Sequence, residues 1–149
     1  MKILHVITGL PKAAGTSVFC GEVANGLAAM GHDVTIAVVN PDASNLYSLN
    51  AQVKLTSIFS ILTPNSYPLT PNSYDVVHLH GLWSPALHKV NRWARKNKIP
   101  VVWSPHGMLQ KWALKNKLLK KVVALLLYQW RDLAKADLGV MYYHGDGDN

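Results

Sequence analysis

Four short apolar runs restrict the fold of this chain more than any other feature: "KILHVI" at 2–7, "DVTIAVV" at 33–39, "DVVHLH" at 75–80 and "IPVVWS" at 99–104. None alternates cleanly between apolar and polar residues, so each reads as a strand buried on both faces. Helical patterns separate them. After the first run, Thr16 or Ser17 can cap a helix with Phe19, Val23, Leu27 and Met30 on its apolar stripe, and Gly31 stands where it would end. After the third, Ser84 and Pro85 supply a cap and a proline at the first helical position; Leu87, Val90 and Ala94 form the apolar face, and Lys89, Arg92, Arg95 and Lys96 the other. "AQVKLTSI" at 51–58 is a weaker strand, and a helical stretch at about 114–136 precedes a last apolar run, "LGVMYY". Strands alternating with helices predict the α/β class: a Rossmann-like open parallel sheet with helices on both faces, over residues 1–143, and a flexible tail at 144–149.

Right-handed crossovers would place every strand-to-helix loop at the carboxyl edge of such a sheet, where ligands bind. The loops there are Gly9 to Ser17, Gly81 to Ser84, and Pro105 to Leu109. The first, "GLPKAAGTS", opens a helix, so free N–H groups and the helix dipole favour an anion, and Gly15 removes a side chain that would block close approach. Its spacing is neither GxGxxG nor a Walker A loop, which excludes a nicotinamide cofactor and a P-loop nucleotide. A glycine before a helix is equally a plain turn residue.

His78 and His80 alternate within one strand and point to one face. No third ligand of suitable type and spacing stands near them in the sequence, so no metal is expected; His78 reads as a packed or hydrogen-bonded residue and His80 as lying at the mouth of a pocket. His106 is the stronger candidate. It follows a strand, Pro105 stiffens the chain before it and Gly107 permits a sharp turn after it. Its imidazole could hydrogen-bond a sugar hydroxyl or carry a proton near neutral pH, or merely tie down its loop. Trp83 and Trp112, beside these loops, could stack on a sugar.

The 149 residues carry 15 Lys and Arg against 8 Asp and Glu, a net charge of +7 that would attract phosphate groups, nucleic acid or anionic lipid. No helix-turn-helix pattern or aromatic RNA-binding signature is present, so nucleic acid is not expected. The single cysteine, Cys20, excludes an internal disulfide and reads as a buried helix residue. The N-terminal run is interrupted by His5 and lacks a small-residue cleavage site, so it reads as a strand rather than a signal peptide, in a cytoplasmic protein. "KWALKNKLLKK" at 111–121 mixes apolar and basic residues, as an amphipathic helix on an anionic membrane would, or a core helix with a solvated lysine face. "TPNSY" occurs at 63–67 and again at 70–74, in a proline-rich stretch that excludes a regular element.

Taken in order, "MKILHVITGL", "GTS", "EVANGLAAMGHDVTIAV", "DVVHLHGLW", "SPHGML" and "LYQWRDLAKAD" resemble the N-terminal domain of retaining GT-B glycosyltransferases of the glycogen-synthase-like group, glycosyltransferase family 4. The resemblance implies one half of a hexosyltransferase that moves a sugar from a nucleotide-sugar donor to a glycan or lipid-linked acceptor in polysaccharide biosynthesis. It implies no cofactor and no metal. By it, Gly15 and Thr16 approach the donor diphosphate, His106 contacts the transferred sugar as the catalytic candidate, and Lys12, His80 and Trp83 are candidates for the acceptor pocket. It also implies a second, donor-gripping domain that these residues do not include, so the chain alone is expected to be inactive without a second-domain chain. The alternative is a non-catalytic module that recruits such a partner at the membrane surface.

Overall fold

The structure, a computed structural model, describes residues 1–63, 74–108, 121–123, 125–135 and 138–139. The second "TPNSY" copy up to Ser73, most of the 111–121 segment with Trp112, and the 144–149 tail lie outside the described residues.

The predicted parallel sheet is present. Strand β1 (Lys2–Ile7) leads to helix α1 (Gly15–Ala29) and β2 (Asp33–Val38); β3 (Lys54–Ser57) and the one-turn α2 (Ile58–Leu62) follow, then β4 (Val76–His80), α3 (Pro85–Lys96) and β5 (Val101–Ser104). A π-helical turn over Leu125–Gln129 runs into α4 (Trp130–Ala134), and the short β6 (Leu138–Gly139) closes the order β3-β2-β1-β4-β5-β6, every pair parallel. Strand order advances one way from β1 to β3 and the other way from β1 through β4 to β6. The chain thus reverses direction between β1 and β4, and the crevice beyond their carboxyl ends is where open α/β sheets bind ligands.

Register decides which side chains share a face. On one side Leu4, Val6, Val77, Leu79, Val101 and Trp103 pack with Ile58 and Ile61 of α2 and with Leu87, Val90 and Ala94 of α3. On the other, Ile7, Val34, Ile36 and Val38 pack beneath Cys20, Ala24 and Ala28 of α1. His5 lies opposite His78 and Ile7 opposite His80, so His5, His78 and His80 share the α1 side of the sheet.

Helix α1 departs from the sequence expectation at both ends of the argument. It begins at Gly15 with Ala14 as its cap, and no side chain accepts a hydrogen bond there; Thr16 and Ser17 lie inside the first turn rather than capping it. Its buried residues are Ser17, Cys20, Gly21, Ala24 and Ala28, whereas Met30 is 68% exposed. Hydrophobicity favoured the larger residues, but small ones let the helix axis come close to the sheet and to the loop after β2. Burial pushes the Cys20 thiol up to about 12, which makes it an inert core residue. Ser84, Pro85 and the basic outer face of α3 are as the sequence predicts, although the Ser84 side chain makes no cap bond.

No helix among the described residues is long and apolar enough to cross a membrane.

Gly21 gives a direct check of this packing. A Cβ there would run into the ring of Tyr47, whose hydroxyl donates to Glu22. Gly21→Ala must displace that ring and break its bond to Glu22, and is expected to cost about 1–3 kcal/mol in urea unfolding despite alanine's better helix propensity. A neutral or stabilising result would show that α1 is not held this closely.

Candidate functional site at the carboxyl edge

The β1–β4 register builds a line of imidazoles that ends at the carboxyl edge. His5 Nδ1 lies 2.9 Å from His80 Nε2, and His80 Nδ1 lies 2.9 Å from His106 Nε2. The His80 and His106 rings stack at 5.1 Å with 13° between their planes, and Phe19 of α1 meets His106 edge-on at 5.0 Å. Alongside, His78 packs 4.0 Å from His80, centroid to centroid, and bonds Ser104 Oγ through Nε2 at 2.7 Å. His5 and His80 are buried and His106 is half-buried, so the line passes from the core toward the surface.

Electrostatics keep these rings neutral. Burial first, and then the His78 ring, holds His5 down to about 3; burial and His106 hold His78 down to about 4. His80 is pushed well below its usual value by burial and then by the other three imidazoles, and burial lowers His106. A neutral imidazole has one N–H, so His80, bonded at both nitrogens, donates to one neighbour and accepts from the other. Buried His5 Nε2 has no hydrogen-bond partner. An orphaned buried N–H is rarer than an orphaned acceptor, which favours the order in which His5 Nδ1–H donates to His80 and His80 Nδ1–H donates to His106. The proton of His106 then resides on Nδ1. The core rings thereby select the tautomer of the edge histidine.

The loops around His106 are held in unusual backbone conformations. His106 has φ 50° and Trp83 φ 63°, both in the left-handed region that bulky residues seldom adopt, and Gly107 follows at φ 73°. The Gly81–Ser84 loop is braced by the end of β5 and by the loop after it: Trp103 Nε1 donates to the Gly81 carbonyl at 2.7 Å, and Gly81 N to the Ser104 carbonyl at 2.8 Å. Leu82 N lies 3.1 Å from Met108 Sδ. Trp83 N donates to Oε1 of buried Gln129 at 2.9 Å, which ties the same loop to the π-helical turn.

The sequence candidates divide into two groups. His80 and His106 are in direct contact, Trp83 sits on the braced loop, and Thr16 stands one helical turn before Phe19 on the same side of α1. His80 is only 2% exposed, however, so it does not stand at the mouth of a pocket; its bond toward the edge is to His106. Lys12 is exposed and its loop turns toward the segment after β2: Pro11 bridges Leu46, and Lys12 N donates to the Asn45 carbonyl at 3.1 Å. Gly15 is exposed, and a Cβ built on it meets nothing within 4 Å. His5, Phe19, Ser104 and Gln129 were not singled out by sequence reasoning. His5 carried a faint signal, a polar residue within an otherwise apolar strand.

The fold also supplies the third imidazole that the sequence seemed to lack beside His78 and His80. One ring nitrogen from each of His5, His78 and His80 lies within 4.8 Å of the others, a spacing that could hold a metal ion, but His80 is bonded at both nitrogens, to His5 and His106, so ligation would have to break one of those bonds.

The buried cluster makes stability depend on pH. The folded-state values of His5, His78 and His80 lie below the unfolded value near 6.5, so the unfolded chain binds more protons between them and stability must fall as pH drops from about 6.5 toward 4. Each group adds a slope of up to about 1.4 kcal/mol per pH unit in that window. Urea unfolding near pH 5 should take up about three protons, one per ring; an uptake near zero would mean that the cluster is charged or solvated.

No curated protein sequence matches the chain significantly. Residues 13–140 match the model for Glycosyltransferase Family 4, a span that takes in Phe19, the β4 histidines and both braced loops. A parallel α/β sheet with this edge agrees with that match, and the chain belongs to Glycosyltransferase Family 4.

Proposed function

We propose that this domain forms the acceptor-side wall of a retaining GT-B glycosyltransferase site, in which a nucleotide sugar is held against the carboxyl edge by a second domain and its sugar passes to a glycan or lipid-linked acceptor. The observation that carries the reading is His106, held at φ 50° with Nε2 engaged by buried His80. With its proton on Nδ1, the ring is a neutral hydrogen-bond donor of fixed orientation. Such a donor suits a sugar hydroxyl whose interaction strengthens as positive charge develops at the reacting carbon.

Gly15 and Thr16 support the donor side of this reading. The first turn of α1 has no side-chain cap, so its N–H groups and the helix dipole suit a diphosphate. Packing within the chain does not require a glycine at position 15, because the space around its Cβ is open. Close approach of a phosphate would.

Two substitutions test the reading, with transfer assayed in the presence of a second-domain chain. His106→Ala should keep the thermal midpoint nearly unchanged and lower kcat by ~10²-fold. Gly15→Ala should leave the fold intact and raise KM for the nucleotide sugar. An early-melting His106→Ala variant with normal turnover per folded molecule would make the histidine a structural tie. A Gly15→Ala variant with unchanged KM would remove the diphosphate from α1.

A further inference from the structure

A second concave site lies on the flank of the domain, between α3 and the α4 region, and shares no residue with the carboxyl-edge loops. It is a cavity of about 400 Å³ with Arg92 and Arg95 on one wall and Arg131 and Lys135 on the other. The spacing explains the arrangement: Asn91, Arg92 and Arg95 form one stripe of α3, and Arg131, Asp132 and Lys135 form the facing stripe of α4 and the turn after it.

The cavity's charge is unbalanced. Among the described residues its single carboxylate, Asp132, is buried and engaged at both oxygens, accepting from Asn91 Nδ2 at 2.9 Å and bonding His88 Nδ1 at 2.7 Å. None of the four cations has a carboxylate within ion-pair distance among the described residues, where the ion pairs are Lys54–Asp33 and His88–Asp132. Arg95 spends one N–H on the Lys135 carbonyl, which braces the two walls. Four cations around one concavity repel each other unless an anion joins them. Asn91 adds an independent requirement: it is 1% exposed, lines the cavity, and its Oδ1 is buried without a hydrogen-bond partner. A carbonyl oxygen needs a donor, which the ionised oxygens of a phosphate cannot supply and a neighbouring alcohol hydroxyl can.

We propose that this cavity binds a phosphate ester carried next to hydroxyl groups, the chemistry of a free phosphorylated polyol and equally of an anionic phospholipid headgroup. The guanidinium groups take the phosphate oxygens, and Asn91 Oδ1 accepts from a hydroxyl. Leu127 at the rim and Trp130 beside it are 69% and 67% exposed, an apolar margin of the kind that a lipid surface would cover. The site is independent of the transfer reaction proposed above.

The test uses the whole chain with glycerol 3-phosphate and inorganic phosphate as soluble probes, and phosphatidylglycerol against phosphatidylcholine vesicles. Glycerol 3-phosphate should bind saturably and more tightly than inorganic phosphate, and should raise Tm. Arg92→Gln and Arg131→Gln should each weaken it roughly tenfold or more. Lys2→Gln, which removes the same charge from β1, should leave binding unchanged. Because each arginine variant relieves repulsion, its Tm without ligand should equal or exceed that of the parent chain, so lost binding cannot be ascribed to misfolding. Pelleting with phosphatidylglycerol that glycerol 3-phosphate displaces assigns a lipid headgroup; saturable soluble binding without pelleting assigns a free phosphorylated ligand. Absence of saturable binding to either form, or binding that both arginine variants retain in full, overturns the proposal.

Discussion

The pairing of β1 with β4 is the constraint on which the rest of this molecule depends. A parallel register fixes every cross-strand neighbour, and a shift of one residue would turn each side chain to the opposite face. With His5 opposite His78 and Ile7 opposite His80, the polar members of two apolar strands gather on one side while Leu4, Val6, Val77 and Leu79 line the other. The same pairing is where strand order reverses, so the register that collects the imidazoles also opens the crevice above them.

Burying several imidazoles in one place carries an energetic cost that the fold offsets by hydrogen bonding them to one another and to Ser104. The consequence is a chemical asymmetry. Burial holds the core rings neutral, and the bonds between them also orient His106 at the edge. A structural cluster and a site residue are therefore parts of one network, and substitutions deep in the sheet at His5 or His80 would act at the edge through the His106 tautomer.

The two concave regions of the domain use charge in opposite ways. At the carboxyl edge stand neutral imidazoles and a helix start without a side-chain cap, with no formal charge on the rings. On the flank, four side-chain cations surround a space whose only carboxylate among the described residues is already bound. Much of the chain's excess positive charge on described residues is thus gathered on the α3–α4 side, away from the crevice.

The sequence by itself determined the class of fold and the position of the edge loops. Runs such as "KILHVI" and "DVVHLH" can be satisfied only by strands covered on both faces, and α3 announces itself through Ser84-Pro85 and an amphipathic period. It also pointed to His106, because a histidine between proline and glycine at a strand end stands out locally. Contacts that bring distant positions together had no local signature. Partners 75 residues apart make the His5–His80 bond, and 44 residues separate His88 from Asp132. The burial of His80, the choice of small residues for the face of α1 and the convergence of Arg92 with Arg131 were likewise decided by tertiary packing. Periodicity reports which face a residue takes on its own element; only strand order and helix approach decide what that face meets.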